Sequence, residues 1–166
     1  CSTDNAQNRW PDVMSEMLQL KHKITNQGVL NLGIGNNRVT VPGGFGALAK
    51  ERFDRDILMQ NGVKKVIIFE GVNDIGAAKS GSSETVARQI IESIQGMMKK
   101  AKARKMKVYL GTITPFKGAG YYTHFHEAAR LYVNDWIRSQ AKNVNGILDF
   151  AKLLQDPNDD RRMKRE

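Results

Sequence analysis

Lys65 to Gly76, KVIIFEGVNDIG, is the stretch whose reading decides the fold. Val66, Ile67, Ile68 and Phe69 form a short continuous apolar run, the composition of a strand buried on both faces of a parallel sheet. The run stops at Glu70-Gly71-Val72-Asn73-Asp74, where small and polar residues replace apolar ones. A buried strand that delivers Gly, Asn and Asp to its carboxyl end puts them where open α/β sheets bind ligands. Asn73 stands out, because a fixed side-chain amide can donate hydrogen bonds to a developing oxyanion. The same residues also suit a plain turn or helix cap, since Asn-Asp after a strand closes many loops. On this stretch alone both readings stay open.

Outward from it, apolar spacing predicts a regular alternation. On the amino-terminal side, residues 8–21 read as a helix with Pro11 and Asp12 in its first turn and Val13, Met14, Met17 and Leu18 as its stripe. Gly28 to Ile34 (GVLNLGI) reads as a strand running into Gly35-Asn36-Asn37-Arg38. The Gly-rich PGGFG then leads into a helix from about Ala47 to Gln60, with Leu48, Phe53, Ile57 and Leu58 inward. On the carboxyl side, Ser82 or Ser83 can cap a helix whose Val86, Ile90, Ile91, Ile94, Met97, Met98 and Ala101 share one face. Val108 to Ile113 is the next strand, ended by Thr114-Pro115-Phe116. A helix near 124–140 follows, with Ala128, Leu131, Tyr132, Trp136 and Ile137 read as inward. Gly146 to Phe150 is a last short strand. The tail, residues 156–166, is charged and nearly free of apolar residues, so it reads as exposed or without fixed structure.

Strands alternating with helices imply a parallel sheet covered on both faces, its carboxyl ends gathered on one rim. That rim collects Gly35-Asn36-Asn37, Gly71 to Asp74 and Thr114-Pro115-Phe116, with Tyr121 and Tyr122 at its lip. Gly35, Asn37, Asp74, Pro115, Tyr121 and Tyr122 are the expected substrate contacts.

The 166 residues have the length of one domain, and 40% hydrophobic with 26% charged is ordinary for a soluble globular chain. No apolar run approaches the ~20 residues that span a bilayer, and CSTDNAQNRWPD lacks the apolar segment of a signal peptide. A single cysteine excludes an internal disulfide framework and a multi-cysteine zinc site. That cysteine is residue 1. It fits the lipid-bearing first residue of a processed bacterial lipoprotein, hence a secreted, periplasmic or lipid-anchored location, or simply the point where the sequence was cut. The net charge of +9 owes much to Lys99, Lys100, Lys102, Arg104, Lys105 and Lys107. Such a run can attract a polyanion. Without interleaved aromatics for base stacking, it reads instead as the solvated, cation-favouring end of a helix, and no nucleic-acid partner is expected.

The motifs, taken in order, resemble the SGNH/GDSL hydrolases, also called GDSL-like lipases or acylhydrolases. The resemblance rests on NRWPD (Asn8–Asp12), VLNLGIGNNRV (Val29–Val39), FDRDIL (Phe53–Leu58), FEGVNDIG (Phe69–Gly76), TITPFKGAGYY (Thr112–Tyr122), NDWIR (Asn134–Arg138) and ILDF (Ile147–Phe150). It covers nearly the whole chain and implies an α/β fold of three α/β/α layers around a flavodoxin-like parallel sheet, here missing its first strand. It implies ester hydrolysis by a Ser nucleophile, with a His base, an Asp that orients it, and an oxyanion held by backbone N–H groups and an Asn. The Asn matches Asn73. The family's oxyanion Gly falls on Asn36, a departure that keeps the backbone donor, since Asn tolerates a left-handed conformation. No metal or organic cofactor is implied, and the substrate would be a small acyl ester or an acetylated carbohydrate.

Two family blocks, the Gly-Asp-Ser after the first strand and the Asp-x-x-His near the end, have no match within residues 1–166. Ser2 lies beyond the expected nucleophile turn, and His22, His124 and His126 lack an Asp-x-x-His setting. Asp149 does not match the family's Asp. The chain is therefore expected to be one such domain lacking both ends, inactive by itself, with the Ser and Asp-x-x-His elsewhere in the parent protein. The alternative is a catalytically inactive module that binds a carbohydrate or anion on the same rim. In a sheet ordered 2-1-3-4-5, Gly28–Ile34 would be the second strand and Lys65–Val72 the third, with an unfilled place between them.

Overall fold

The computed structural model describes residues 6–164. They divide into two compact units, Cys1–Gly33 and Ile34–Glu166. The first is built on helix α1 (Trp10–Glu16), which continues as a π-helical turn over Met17–Lys21. Its start is set by Pro11 in the first turn, where the missing N–H costs nothing. Asp12 in the first turn closes it: its carboxylate accepts from the Arg9 N–H (3.1 Å) and the Arg9 Nε (2.8 Å).

The second unit carries a parallel sheet of β1 (Lys65–Ile68), β2 (Lys107–Gly111) and β3 (Gly146–Leu148) in the order β1-β2-β3. Lys65 pairs with Lys107 and Ile68 with Leu110, while Leu110 pairs with Ile147. This is the order expected of the last three strands. Between β1 and β2 run α3 (Val72–Ala77) and α4 (Ser83–Ala103); between β2 and β3 runs α5 (His124–Ser139). Both crossovers step the same way across the sheet, so α4 and α5 lie together on one face, packed against each other. The inward face of α4 is the predicted one, with Val86, Ile90, Ile94, Met97, Met98 and Ala101 all buried. With Val66, Ile68, Val108 and Leu110 they form the core. Helix α2 (Ala49–Phe53), extended by a π-helical turn at Asp54–Leu58, packs on α4 through the buried Phe53.

Three expectations are corrected. Residues 28–34 form no strand: they belong to neither sheet among the described residues, and Leu30 is 64% exposed. A strand is defined by its ladder, and an apolar alternation forms one only where a neighbouring strand takes up its N–H and C=O groups. The inward face of α5 is rotated from the predicted one. Leu131 and Tyr132 are over 40% exposed, whereas Ala129, Arg130, Val133, Asn134 and Ile137 are buried. The polar members of that face are satisfied. Asn134 accepts from the Ile113 N–H (2.7 Å) and donates to its carbonyl (2.8 Å), and Arg130 pairs with Glu127.

The third correction concerns the charged tail, which is largely exposed as expected but has fixed structure over residues 156–163; residues 165–166 lie outside the described residues. It follows α6 (Phe150–Leu154) and folds as an antiparallel hairpin of β4 (Gln155–Asp156) and β5 (Asp159–Met163). Asp159 anchors it to its own arginines and to the loop after β2. Asp159 pairs with Lys117 (2.5 Å) and Arg161 (2.7 Å), and the Lys117 N–H donates to the Arg161 carbonyl (2.8 Å).

Candidate active site

The carboxyl end of β1 turns sharply through Gly71, at φ +112°. A Cβ here would approach Ile90 at 3.2 Å and Ile113 at 3.3 Å. Conformation and packing thus both require glycine. The turn starts α3 at once, so Asn73 and Asp74 stand in its first turn.

These two residues build the neighbouring loop. Asp74 is wholly buried, and its carboxylate accepts three backbone N–H groups: Val39 (2.8 Å), Thr40 (2.8 Å) and Val41 (2.9 Å). Asn73 Nδ2 donates to the Asn37 carbonyl oxygen at 2.9 Å. The loop from Gly35 to Val41 is therefore laced to the strand end by four hydrogen bonds. Asn36 stands at φ +55° in a turn closed by Asn37 N–H to Ile34 O (3.1 Å), and that left-handed position favours Gly or Asn. The Gly-rich stretch packs on it closely, since a Cβ on Gly44 would come within 2.4 Å of the Asn36 carbonyl oxygen.

Among the described residues, this rim keeps uncommitted donors on Asn73 and Asn36. A carboxamide nitrogen carries two protons, and one of those on Asn73 is spent on Asn37. The Asn36 N–H makes no hydrogen bond among the described residues. Asn73 thus keeps a side-chain N–H and Asn36 a backbone N–H on segments joined by the bond from Asn73 to Asn37.

Asn37 serves differently from the substrate contact expected of it. It is 1% exposed, with Nδ2 donating to the Phe45 (2.6 Å) and Ala47 (2.9 Å) carbonyls. Its Oδ1 accepts from Arg52 Nε (3.1 Å) and a second Arg52 nitrogen (3.0 Å). Asp74 is as deeply enclosed, so both residues shape the rim from behind. Arg52, which sequence reading passed over as one cation on an amphipathic helix, is the buried post of this network. It also bonds Asp56 (2.9 Å) and lies 3.7 Å from Glu70. Glu70, at the end of β1, was likewise missed. Burial pushes its carboxyl up to about 7, with Arg52 opposing the rise and Asp74 adding to it.

Of the remaining predicted contacts, Gly35 is exposed with open space at its Cβ position, and Pro115 is buried. Tyr121 is 40% exposed and lies over Gly76 of α3, where a Cβ would meet the ring at 2.9 Å. Phe116 packs against both Tyr121 (5.4 Å between centroids) and Tyr122 (6.0 Å). Tyr121 thus borders α3 one turn beyond Asn73. His126 is buried, with both ring nitrogens on carbonyl oxygens, Tyr121 at 2.6 Å and Ala78 at 2.8 Å. Asp149 is engaged too: Arg138 (3.0 Å) and Thr112 (2.9 Å) hold its carboxyl below the usual carboxylate range.

A model of the GDSL-like Lipase/Acylhydrolase family matches residues 1–165. Among solved structures, the chain is similar to that of a candidate lipolytic protein of the G-D-S-L family from Desulfitobacterium hafniense DCB-2. The two share 25% identity with a TM-score of 0.68, over 94% of this chain and 74% of that one. A search of curated proteins found no match. The mixed helix and parallel-sheet architecture accords with the three-layer α/β/α fold of that neighbour.

Proposed function

Since the chain belongs to the GDSL-like lipase/acylhydrolase family, a family of hydrolases, we propose that its rim is the oxyanion side of a serine ester hydrolase. The observation that carries this reading is the pair of uncommitted donors, Asn73 Nδ2–H and the Asn36 N–H, on segments joined by the 2.9 Å bond from Asn73 to Asn37. In the reaction a Ser oxygen attacks the ester carbonyl while a His takes its proton. The carbonyl oxygen becomes an oxyanion and receives both donors; the alcohol leaves, and water then releases the acid by the same route. A donor that acts on the oxyanion is worth ~3 kcal/mol in the transition state. Fixed donors cost no reorganisation at that moment, which is what the Asp74 and Arg52 networks supply.

The Ser and the Asp-x-x-His base belong, in this reading, to parts of the same hydrolase domain outside residues 1–166. His126 has both nitrogens committed to carbonyl oxygens, which leaves it unsuited to the base. Substrates are small acyl esters or acetylated carbohydrates that pass the Tyr121 lip. The test is treatment of the full-length protein with a fluorophosphonate, followed by peptide mass spectrometry and an assay on p-nitrophenyl acetate. Labelling of a single Ser outside residues 1–166, with hydrolysis, supports the assignment. No labelling and no turnover favour the inactive binding module instead.

A further inference from the structure

Because β1, β2 and β3 are parallel, the loops that enter them share the edge of the sheet opposite Asn73. Adjacent strands lie ~4.8 Å apart, so the three entry loops stand side by side. Their charge is all of one sign. The first loop brings Lys64. The second, with the last turns of α4, brings Lys99, Lys102, Arg104, Lys105 and then Lys107 at the start of β2. The third brings Lys142. All seven are exposed, and none has an ion pair among the described residues. Lys100 is set apart because it is paired with Asp54 (2.7 Å). There is no Asp or Glu in residues 57–69, 93–126 or 136–148, so nothing on these segments offsets the field.

A cluster of like charge is normally diluted with acids, since self-repulsion destabilises the fold. We propose that this edge docks the protein on an anionic phospholipid surface. Three features select lipid over single-stranded nucleic acid. Residues 59–65, 99–107 and 139–146 contain no Phe, Tyr or Trp, so a single strand would find no stacking platform. The first loop does present Met59, 73% exposed, an apolar side chain that can enter the headgroup region beside the lysines. The seven cations come from three loops in a row, which suits a sheet of headgroups.

This docking turns the Asn73 rim away from the membrane, separated from it by the strand length. If the oxyanion assignment above holds, the ester is taken from the solvent side and not from the supporting bilayer.

The test is sedimentation of the full-length protein with vesicles of phosphatidylcholine alone or with 30% phosphatidylglycerol, at physiological salt. Each Lys or Arg near such a surface contributes about fivefold to partitioning. The combined Lys102→Gln, Arg104→Gln and Lys105→Gln variant should therefore bind the anionic vesicles ~100-fold more weakly. A control of equal charge loss, Lys50→Gln, Lys79→Gln and Lys152→Gln, all exposed elsewhere, should retain binding within a few fold. Absence of binding to anionic vesicles overturns the proposal. So does equal weakening by the control, or tighter binding to a single-stranded oligonucleotide than to vesicles at the same salt. None of these readouts depends on turnover, so loss of the hydrolase assignment would leave the docking result standing.

Discussion

Replacing Asp74 probes the structure where one side chain organises most backbone. Its carboxylate accepts three N–H groups at 2.8–2.9 Å while wholly enclosed. Asp74→Ala leaves the Val39 and Thr40 N–H groups buried and unmatched, at ~1–3 kcal/mol each. Val41 is partly exposed, and its N–H can turn to water. The expected loss is ~4 kcal/mol, a large share of a total stability of about 5–15 kcal/mol. Asp74→Asn keeps one oxygen for Thr40 and Val41 but sets an NH2 group against the Val39 N–H. It should lose ~2 kcal/mol. Guanidinium unfolding read by fluorescence gives both values, and hydrogen exchange at Val39, Thr40 and Val41 reports whether protection is lost locally first. An Asp74→Ala protein within 1 kcal/mol of wild type, with those amides still protected, would refute the clamp.

Other outcomes follow from single contacts. Glu70 has its carboxyl raised from 4.5 to about 7 by burial. Its folded value lies above its unfolded one, so its contribution to stability is complete below about pH 4.5 and disappears as pH rises through about 7. That interval corresponds to at most ~3 kcal/mol, so Glu70→Gln should raise the melting temperature at pH 8 and change it little at pH 4.5. Gly71→Ala puts a Cβ at φ +112° and 3.2 Å from Ile90. A loss of ~2 kcal/mol or more in urea unfolding is expected. Asn134→Ala removes both bonds to Ile113 in a fully buried position and should cost ~2–4 kcal/mol by the same assay.

The β1-α4-β2 framework was legible because its buried strands and one long helix are apolar in their own periodicities. The Gly28–Ile34 strand was not, because its pattern specifies a strand only if a neighbour supplies the ladder. The face of α5 was misread for a different reason. Arg130 and Asn134 look like surface residues, and only the Ile113 backbone and Glu127 show why they are buried. Asn36 drew attention only because the family resemblance set a Gly against it, and its left-handed φ of +55° is one that Asn tolerates. Asn37 and Asp74 were marked for the site, but their contacts reach 8 to 35 residues along the chain, a distance no local pattern encodes. Arg52 and Glu70 gave no local signal at all, being a helix cation and a strand-end acid until folding buries them together.

The most direct measurement is kcat and KM for p-nitrophenyl acetate with full-length wild-type protein and Asn73→Ala, alongside a melting curve showing that both are folded. If Asn73 donates to the oxyanion, kcat falls roughly 100-fold or more while KM changes little, because the bond matters mainly in the transition state. An unchanged kcat in a folded Asn73→Ala protein contradicts the assignment, and the 2.9 Å bond to Asn37 would then be its structural purpose.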